Sequence, residues 1–177
     1  MLHDLHSILE AAHFAAEKHA NQRRKGATGE PYVNHLLEVA ALISGAIAEP
    51  DPNLVMAALL HDTVEDVGVT RDELAQRFGP EVANLVMEVT DDKSLPKEDR
   101  KRLQIEHAPK LSAGAQTIKL ADKISNLRAI LNSPPVSWSF ERRQQYFVWA
   151  KQVVDAMTQP NPILKVEFER TFGRFPL

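Results

Sequence analysis

Residues 51–66, with the sequence DPNLVMAALLHDTVED, decide the fold and carry a dense cluster of polar side chains. Asp51 followed by Pro52 marks a helix start, because aspartate caps a first turn and proline fits the first helical position. Residues 54–60 are apolar on every side, which is typical of a helix buried in a protein core. The segment therefore predicts a central buried helix that delivers four polar residues to its end, namely His61, Asp62, Glu65 and Asp66.

The chain on both sides of this segment repeats the helical pattern. Apolar residues recur with a period of about 3.6, and no segment alternates with a period of 2 for long enough to predict a strand. Prolines, glycines and capping residues then place the helix ends. After a first helix and a basic loop at 23–29, helices are expected at about 35–48, 52–66, 70–78, 80–90, 96–107, 115–131, 139–157 and 162–172. The sequence predicts an all-α bundle of about eight to ten helices.

Composition narrows the class of protein. The chain has 177 residues with no cysteine, 44% apolar and 25% charged residues, and a formal net charge of −3. This length predicts one domain, here spanning residues 1–177. The lack of cysteine excludes thiolate zinc sites and thiol nucleophiles. With 24 acidic and 21 basic residues, the chain has no excess of positive charge that would favour nucleic acid as a partner.

Targeting and membrane signals do not stand out in the sequence. No apolar run approaches the roughly 18 residues of a membrane span. The first 20 residues carry several charged side chains, unlike the apolar region of a secretory signal. We therefore expect a cytoplasmic protein with no membrane partner, and the sequence leaves its oligomeric state open.

The acids at the end of the central helix need a physical explanation. Burying several carboxylates close together is costly unless a cation compensates their charge. On a continuous helix, His61 and Glu65 share one face, and Asp62 and Asp66 share the adjacent one. One interpretation is a metal site. The other is a solvated helix end in which His61 caps a carbonyl group, although the acids then oppose the helix dipole. The local sequence leaves both open.

His35 and Asp122 strengthen the metal interpretation. His35 begins a helix directly after a turn, and Asp122 lies in an otherwise apolar helix, where an aspartate is ordinarily a solvated residue paired with a nearby lysine. Two imidazoles and two carboxylates form a mixed nitrogen and oxygen set that, without sulfur, favours Mn²⁺ or another borderline divalent ion. Glu65 and Asp66 then remain free to handle the protons of a water, as metal-assisted phosphoester hydrolysis requires.

Three stretches make the sequence similar to a known family. They are GEPYVNH at 29–35, AALLHDTVED at 57–66 and KLADKISNL at 119–127. The pattern resembles the HD-domain phosphohydrolases, and in particular the hydrolase domain of RelA/SpoT homologues of the small single-domain metazoan type. The resemblance covers nearly the whole chain and implies an HD-domain helical bundle. It also implies Mn²⁺-dependent removal of the 3′-pyrophosphate of the alarmones ppGpp and pppGpp, which yields GDP or GTP and pyrophosphate.

The resemblance implies a role for each matching residue. The implied Mn²⁺ ligands are His35, His61, Asp62 and Asp122. The pair that positions and deprotonates the attacking water is Glu65 and Asp66. The residues that hold the nucleotide are Arg24 and Lys25 near the base and ribose, and Asn126 and Tyr146 near the sugar and phosphates. Leu36 stands where the family usually has proline, which affects only the expected start of that helix.

The basic residues between 93 and 102 have a simpler interpretation. Together they are typical of a solvated helix face, and they are Lys93, Lys97, Arg100, Lys101 and Arg102. Lys97, near the expected start of a helix, is in addition a candidate contact for a substrate phosphate.

Two alternative functions remain at this stage. The first is an HD phosphohydrolase that acts on another nucleotide, such as the 2′-phosphate of NADPH, because both substrates present a phosphate on a ribose beside a purine. The second is a non-enzymatic module that senses nucleotides with a degenerate site. The second is disfavoured because all six metal and catalytic positions are intact.

Overall fold

The structure of the chain, a computed structural model, describes residues 2–176. Within this range the backbone forms ten α-helices and one short 3-10 helix, Ala108–Lys110, and its only strand-like pairing is a bridge between Arg23 and Pro31. The predicted all-α class and helix number are confirmed. No helix of the described residues is long and apolar enough to cross a membrane. The α-helices are α1 Leu2–Lys18, α2 Val33–Ala46, α3 Pro52–Leu60, α4 Thr63–Val67, α5 Arg71–Phe78, α6 Pro80–Val89, α7 Lys97–His107, α8 Ala113–Asn132, α9 Phe140–Asp155 and α10 Pro162–Phe172.

Local capping signals place most helix ends as the sequence predicts. The Asp51 side chain accepts a hydrogen bond from the Asn53 N–H at 2.9 Å at the start of α3. The Thr70 hydroxyl accepts one from the backbone N–H of Glu73 at 3.1 Å at the start of α5. Helix α2 begins at Val33, two residues before the predicted start, and Leu36 is fully buried. A leucine in place of proline therefore leaves the start of α2 intact.

Helix α3 lies at the centre of the bundle, as predicted. Every residue from Leu54 to Leu60 is buried, with at most 9% of its surface exposed. The helix packs against α1, α2, α6 and α8. Because neighbours cover it on all sides, the residues that follow Leu60 enter the interior of the protein rather than its surface.

The polar segment after α3 differs from the expected continuous helix. Helix α3 ends at Leu60, the next two residues form a turn, and α4 begins at Thr63. The Thr63 hydroxyl donates a 2.6 Å hydrogen bond to the Leu60 carbonyl, a local bond that competes with continuation of the helix. The expectation that His61 and Glu65 share one helical face was therefore wrong. The turn holds His61 and Asp62, whereas Glu65 and the acid after it belong to α4.

Candidate active site

The four side chains expected to bind a metal come together in the centre of the bundle. Helix α2 provides His35, the turn between α3 and α4 provides His61 and Asp62, and α8 provides Asp122. Asp62 Oδ2 lies 3.6 Å from His35 Nε2 and 3.2 Å from His61 Nε2. Asp122 Oδ1 lies 3.3 Å and 3.9 Å from the same two nitrogens. Two nitrogens and two oxygens thus face one small volume from three separate elements.

The hydrogen bonds of His61 leave one ring nitrogen for a ligand. Its Nδ1 lies 2.8 Å from the Ala58 carbonyl, which can only accept, so Nδ1 carries the proton. Its Nε2 is buried and has no hydrogen-bond partner among the described residues. A buried imidazole nitrogen that faces two carboxylates is suited to bind a divalent metal ion in place of a proton.

The charges of this cluster also fit a cation. Burial opposes ionisation of Asp62 and Asp122, but neighbouring positive groups outweigh it and hold the pKa of both carboxyls well below the usual range. For Asp62 the main positive neighbour is His61, and for Asp122 it is Lys123. Burial lowers the pKa of His61, yet the Asp62 and Asp122 carboxylates raise it to about 9. The two carboxylates are therefore ionised at neutral pH and attract positive charge to the cluster.

Tyr32 is a site residue that sequence reasoning did not assign. Its hydroxyl donates a 2.7 Å hydrogen bond to Asp62 Oδ2, and its ring stacks on His19 with centroids 5.1 Å apart. Burial and the nearby carboxylates raise its pKa far above that of a free tyrosine. Tyr32 therefore stays protonated and orients the Asp62 carboxylate.

Glu65 and Asp66 lie beside this cluster. Within residues 2–176, ligand atoms of His35, His61 and Asp62 all lie within 4.8 Å of one another, and Asp122 adjoins this group through its contacts with the two imidazoles. Glu65 Oε2 accepts a hydrogen bond from the backbone N–H of Asp91 at 3.2 Å. Asp66 Oδ2 accepts one from Gln22 Nε2 at 2.7 Å. Burial and the charge of Asp91 raise the pKa of Glu65. Both acids are thus held in fixed positions, in the wall of a cavity.

The contacts of Lys93 and Arg100 contradict the prediction that these residues belong to a solvated helix face. Lys93 Nζ contacts Asp66 Oδ1 directly and lies 3.9 Å from Glu65 Oε1. Arg100 NH1 lies 3.7 Å from the same Glu65 oxygen. The loop between α6 and α7 carries Lys93, and the first turn of α7 carries Arg100, so that both cations lie against the two acids, although Lys93 remains 47% exposed. Their charge is therefore part of the site.

A cavity of about 1,060 Å³ opens above the two acids and the cluster of histidines and aspartates. Its size suits a nucleotide. The five residues expected to hold a substrate all line it: Arg24, Lys25, Lys97, Asn126 and Tyr146. Burial and the positive charges of Lys101 and Arg142 lower the pKa of Lys97. All three of these basic residues line the cavity.

Asn126 connects this cavity to Asp122 of the cluster. Its Nδ2 donates to Asp122 Oδ1 at 2.6 Å, and its Oδ1 accepts from Arg24 NH2 at 3.0 Å. Tyr146 packs on the opposite wall between Trp138 and Trp149, with ring centroids 5.7 Å and 5.2 Å away. The cavity therefore has a charged floor and an aromatic wall.

The basic loop before α2 is fixed against the end of α8. Thr28 N–H donates to Ser133 Oγ at 3.3 Å. A Cβ atom added to Gly26 would lie 2.5 Å from the Ser133 carbonyl oxygen and 2.6 Å from its Oγ. Only glycine permits this close approach without movement of the backbone. Gly26 thus sets the position of Arg24 and Lys25.

The chain is similar to proteins of known activity over nearly its whole length. A family model described as an HD domain matches residues 11–151. The Xenopus tropicalis protein named guanosine-3′,5′-bis(diphosphate) 3′-pyrophosphohydrolase MESH1 is 50% identical over 172 residues, which cover 97% of this chain and 96% of that one. The human protein of the same name is 50% identical over 165 residues, covering 93% and 92%. A solved structure, described as a metazoan ortholog of SpoT that hydrolyzes ppGpp, matches with a TM-score of 0.91 and 48% identity over 95% of this chain and 94% of that chain.

Proposed function

The chain belongs to the HD-domain family, and from that premise we propose that it hydrolyses the 3′-pyrophosphate of ppGpp and pppGpp to release GDP or GTP and pyrophosphate. The observation that carries the proposal is the convergence of two imidazoles and two carboxylates beside two partly buried acids, at the floor of a cavity lined by cations. The relatives named for this activity are half identical to the chain and extend over almost all of it. A small nucleotide is thus the proposed partner.

The proposed cofactor is Mn²⁺, held by the side chains that converge from three elements. The donor set is two imidazole nitrogens and two carboxylate oxygens, which suits Mn²⁺ better than a thiophilic ion. When bound, a divalent ion of this kind lowers the pKa of a coordinated water and neutralises charge on a phosphoryl group. The ligands in the proposal are His35, His61, Asp62 and Asp122.

Glu65 and Asp66 are proposed to orient the attacking water and to accept its proton. Because burial and Asp91 raise the pKa of Glu65, its carboxylate is a stronger base than that of an exposed glutamate. Lys93 and Arg100 approach the Glu65 Oε1 atom from the side and keep the two acids in place. Their positive charge also favours the approach of a polyphosphate to the acids.

The nucleotide itself is proposed to bind along the cavity wall. Lysine and arginine side chains form charge-assisted hydrogen bonds with phosphate oxygens, and aromatic rings offer flat surfaces to a purine and ribose. The residues assigned to this role are Arg24, Lys25, Lys97, Asn126 and Tyr146. None of them belongs to the set that handles the water, so they control binding more than chemistry.

The basic loop at 23–29 provides a test of whether these residues control substrate binding rather than the chemical step. We expect Gly26→Ala to raise KM for ppGpp by about 10- to 100-fold, the equivalent of one lost charge-assisted contact, with kcat nearly unchanged. The added methyl group forces the loop away from Ser133 and displaces Lys25. Lys25→Ala should have a similar effect in steady-state kinetics.

The matched control is Gly45→Ala, because a Cβ atom at that exposed helical position meets nothing within 4 Å. This variant should retain the KM and kcat of the parent protein. A large fall in kcat at unchanged KM for Gly26→Ala or Lys25→Ala would place the loop in the chemical step and contradict its assignment.

The activity is tested on the metal-stripped protein after reloading with Mn²⁺. We expect stoichiometric GDP and pyrophosphate from ppGpp, measured by anion-exchange chromatography, and no product before the metal is added. NADPH is assayed in parallel for release of inorganic phosphate. Turnover of NADPH alone would identify the other nucleotide as the substrate, and turnover of neither would contradict the proposal.

The proposal extends to the whole chain and its location. We propose that residues 1–177 form one HD-type domain and that this domain acts in the cytoplasm. Limited proteolysis tests the first point, because a single domain yields one protected core. Imaging of a tagged full chain tests the second.

A further inference from the structure

The second ring nitrogen of His35 faces a buried hydroxyl group. His35 Nδ1 lies 2.8 Å from Ser125 Oγ, and both residues are almost fully buried. Ser125 lies on α8, three residues after Asp122, so one helix carries both a predicted metal ligand and the hydrogen-bond partner of another. Sequence reasoning gave Ser125 no role, because the serine lies 90 positions away from His35 in the chain.

The direction of these hydrogen bonds follows from their chemistry. Glu38 lies on α2, one turn after His35, and its Oε2 is 2.6 Å from Ser125 Oγ. An ionised carboxylate only accepts hydrogen bonds, so the single hydroxyl proton of Ser125 goes to Glu38. Ser125 Oγ must then accept from His35, which places the imidazole proton on Nδ1. The remaining nitrogen, Nε2, keeps a free lone pair and faces the carboxylates of the cluster.

The same chain of contacts continues to the last helix. Arg128 NH1 donates to Glu38 Oε1 at 2.9 Å, and Arg128 NH2 donates to Glu167 Oε1 at 2.6 Å. Glu167 lies on α10, beyond the residues 11–151 that match the HD family model. An ion pair with Arg170 at 2.6 Å further fixes Glu167. A helix outside the matched segment thus anchors, through Arg128, the carboxylate that orients Ser125.

We propose that Ser125 and Glu38, anchored through Arg128 to α10, are positioning residues that fix the tautomer and orientation of His35 and thereby set the affinity of the site for a divalent metal. This inference rests on the proposed function, because it takes His35 as a metal ligand. Partners of this kind fix the ring of a ligating histidine, and their loss typically lowers metal affinity by about 10- to 100-fold. In this chain the partner is a serine backed by a carboxylate, instead of a carboxylate in direct contact.

We call Ser125 and Glu38 the relay. The test compares two relay variants with a matched control in the full-length chain. Ser125→Ala removes the acceptor of His35 Nδ1–H and leaves a buried donor unpaired. Glu38→Gln keeps the shape of the side chain and removes the charge that fixes the serine proton. Thr117→Val removes another buried hydroxyl from α8, one that donates to the Ala113 carbonyl of its own helix at 2.8 Å. Each variant is stripped of metal and titrated with Mn²⁺ by calorimetry and with Co²⁺ by visible absorption.

We expect Ser125→Ala to raise the Kd for Mn²⁺ by about 10- to 100-fold and to alter the Co²⁺ absorption bands, which report ligand geometry. Glu38→Gln should produce a smaller change in the same direction, and Thr117→Val should change neither measurement. Circular dichroism in excess chelator checks that each variant is folded. If Ser125→Ala does not fold, Glu38→Gln carries the test, since Glu38 lies at the surface with 36% of its side chain exposed.

Two results would contradict the inference in distinguishable ways. If the parent protein binds Mn²⁺ and hydrolyses ppGpp, but the folded relay variants bind Mn²⁺ as tightly as Thr117→Val, the positioning role is wrong and the proposed function stands. If His35→Ala binds Mn²⁺ as tightly as the parent protein, His35 is not a ligand, and both the proposed metal site and the relay are wrong.

Discussion

A His61→Ala variant is expected to lose both its divalent metal and at least about 10³-fold of its hydrolase activity. The metal contributes several kcal/mol to phosphoryl hydrolysis by activating water and neutralising charge, and each 1.4 kcal/mol corresponds to roughly tenfold in rate. His61 is the most sensitive ligand to remove, because its Nε2 is buried with no hydrogen-bond partner in the described structure. Its loss also removes the nearer of the two imidazoles beside Asp62 Oδ2, at 3.2 Å, and leaves His35 Nε2 at 3.6 Å.

Metal content and activity are measured on the same preparation, by elemental analysis and by pyrophosphate release. The control is His13→Ala, since His13 lies on the exposed face of α1 and its side chain is 70% exposed. That variant should keep one equivalent of metal and the activity of the parent protein. A His61→Ala protein that keeps its metal and loses only activity would assign His61 to the chemical step instead.

Features with short-range causes could be predicted from the sequence. The Thr70 capping box is one example, because its two partners are three residues apart and both are visible in the sequence. The last helix is another, since Pro162 favours a helix start and Phe172 ends its apolar pattern, and α10 has these bounds. The buried central helix follows in the same way from an unbroken apolar run.

Contacts between distant residues could not be predicted by such reasoning. Asp66 binds Gln22, which lies 44 positions away, and Lys93, which lies 27 positions away. A lysine in a polar loop looks solvated until the fold brings its partner close, which is why Lys93 was misinterpreted. Ser125 escaped notice for the same reason. The residue types made His35 and Asp122 candidates to join the pair at residues 61 and 62, and the family resemblance supported this, but no local spacing predicted the contacts among them.

The break after α3 explains why two sets of acids have different surroundings. In a continuous helix Asp62 and Asp66 would point the same way and compete for one cation. The turn at residues 61 and 62 instead turns Asp62 toward the two imidazoles, while Asp66 on α4 meets Gln22 and Lys93. The irregular backbone therefore separates the carboxylates proposed to bind metal from those proposed to handle protons.

Replacing Glu65 with glutamine is expected to lower kcat by about 10² to 10⁴-fold while the protein keeps its metal. An amide has the shape of a carboxylate but cannot accept a proton from water. The amide oxygen introduced by Glu65→Gln would still accept the Asp91 N–H, so the loop over the site should stay in place. Asp66→Asn should cause a loss of the same kind, because it removes the partner of Lys93 as well as a negative charge.

The control for both variants is Glu106→Gln, the same substitution at an exposed position on α7 where the carboxylate pairs with Arg102 at 2.8 Å. It should leave kcat and metal content unchanged, so a selective effect at residue 65 cannot arise from the loss of a negative charge alone. Metal content decides between the two roles of a carboxylate at this site. A Glu65→Gln protein that is folded but no longer retains its metal would make Glu65 a ligand, and the separation between metal-binding and proton-accepting acids would then be wrong.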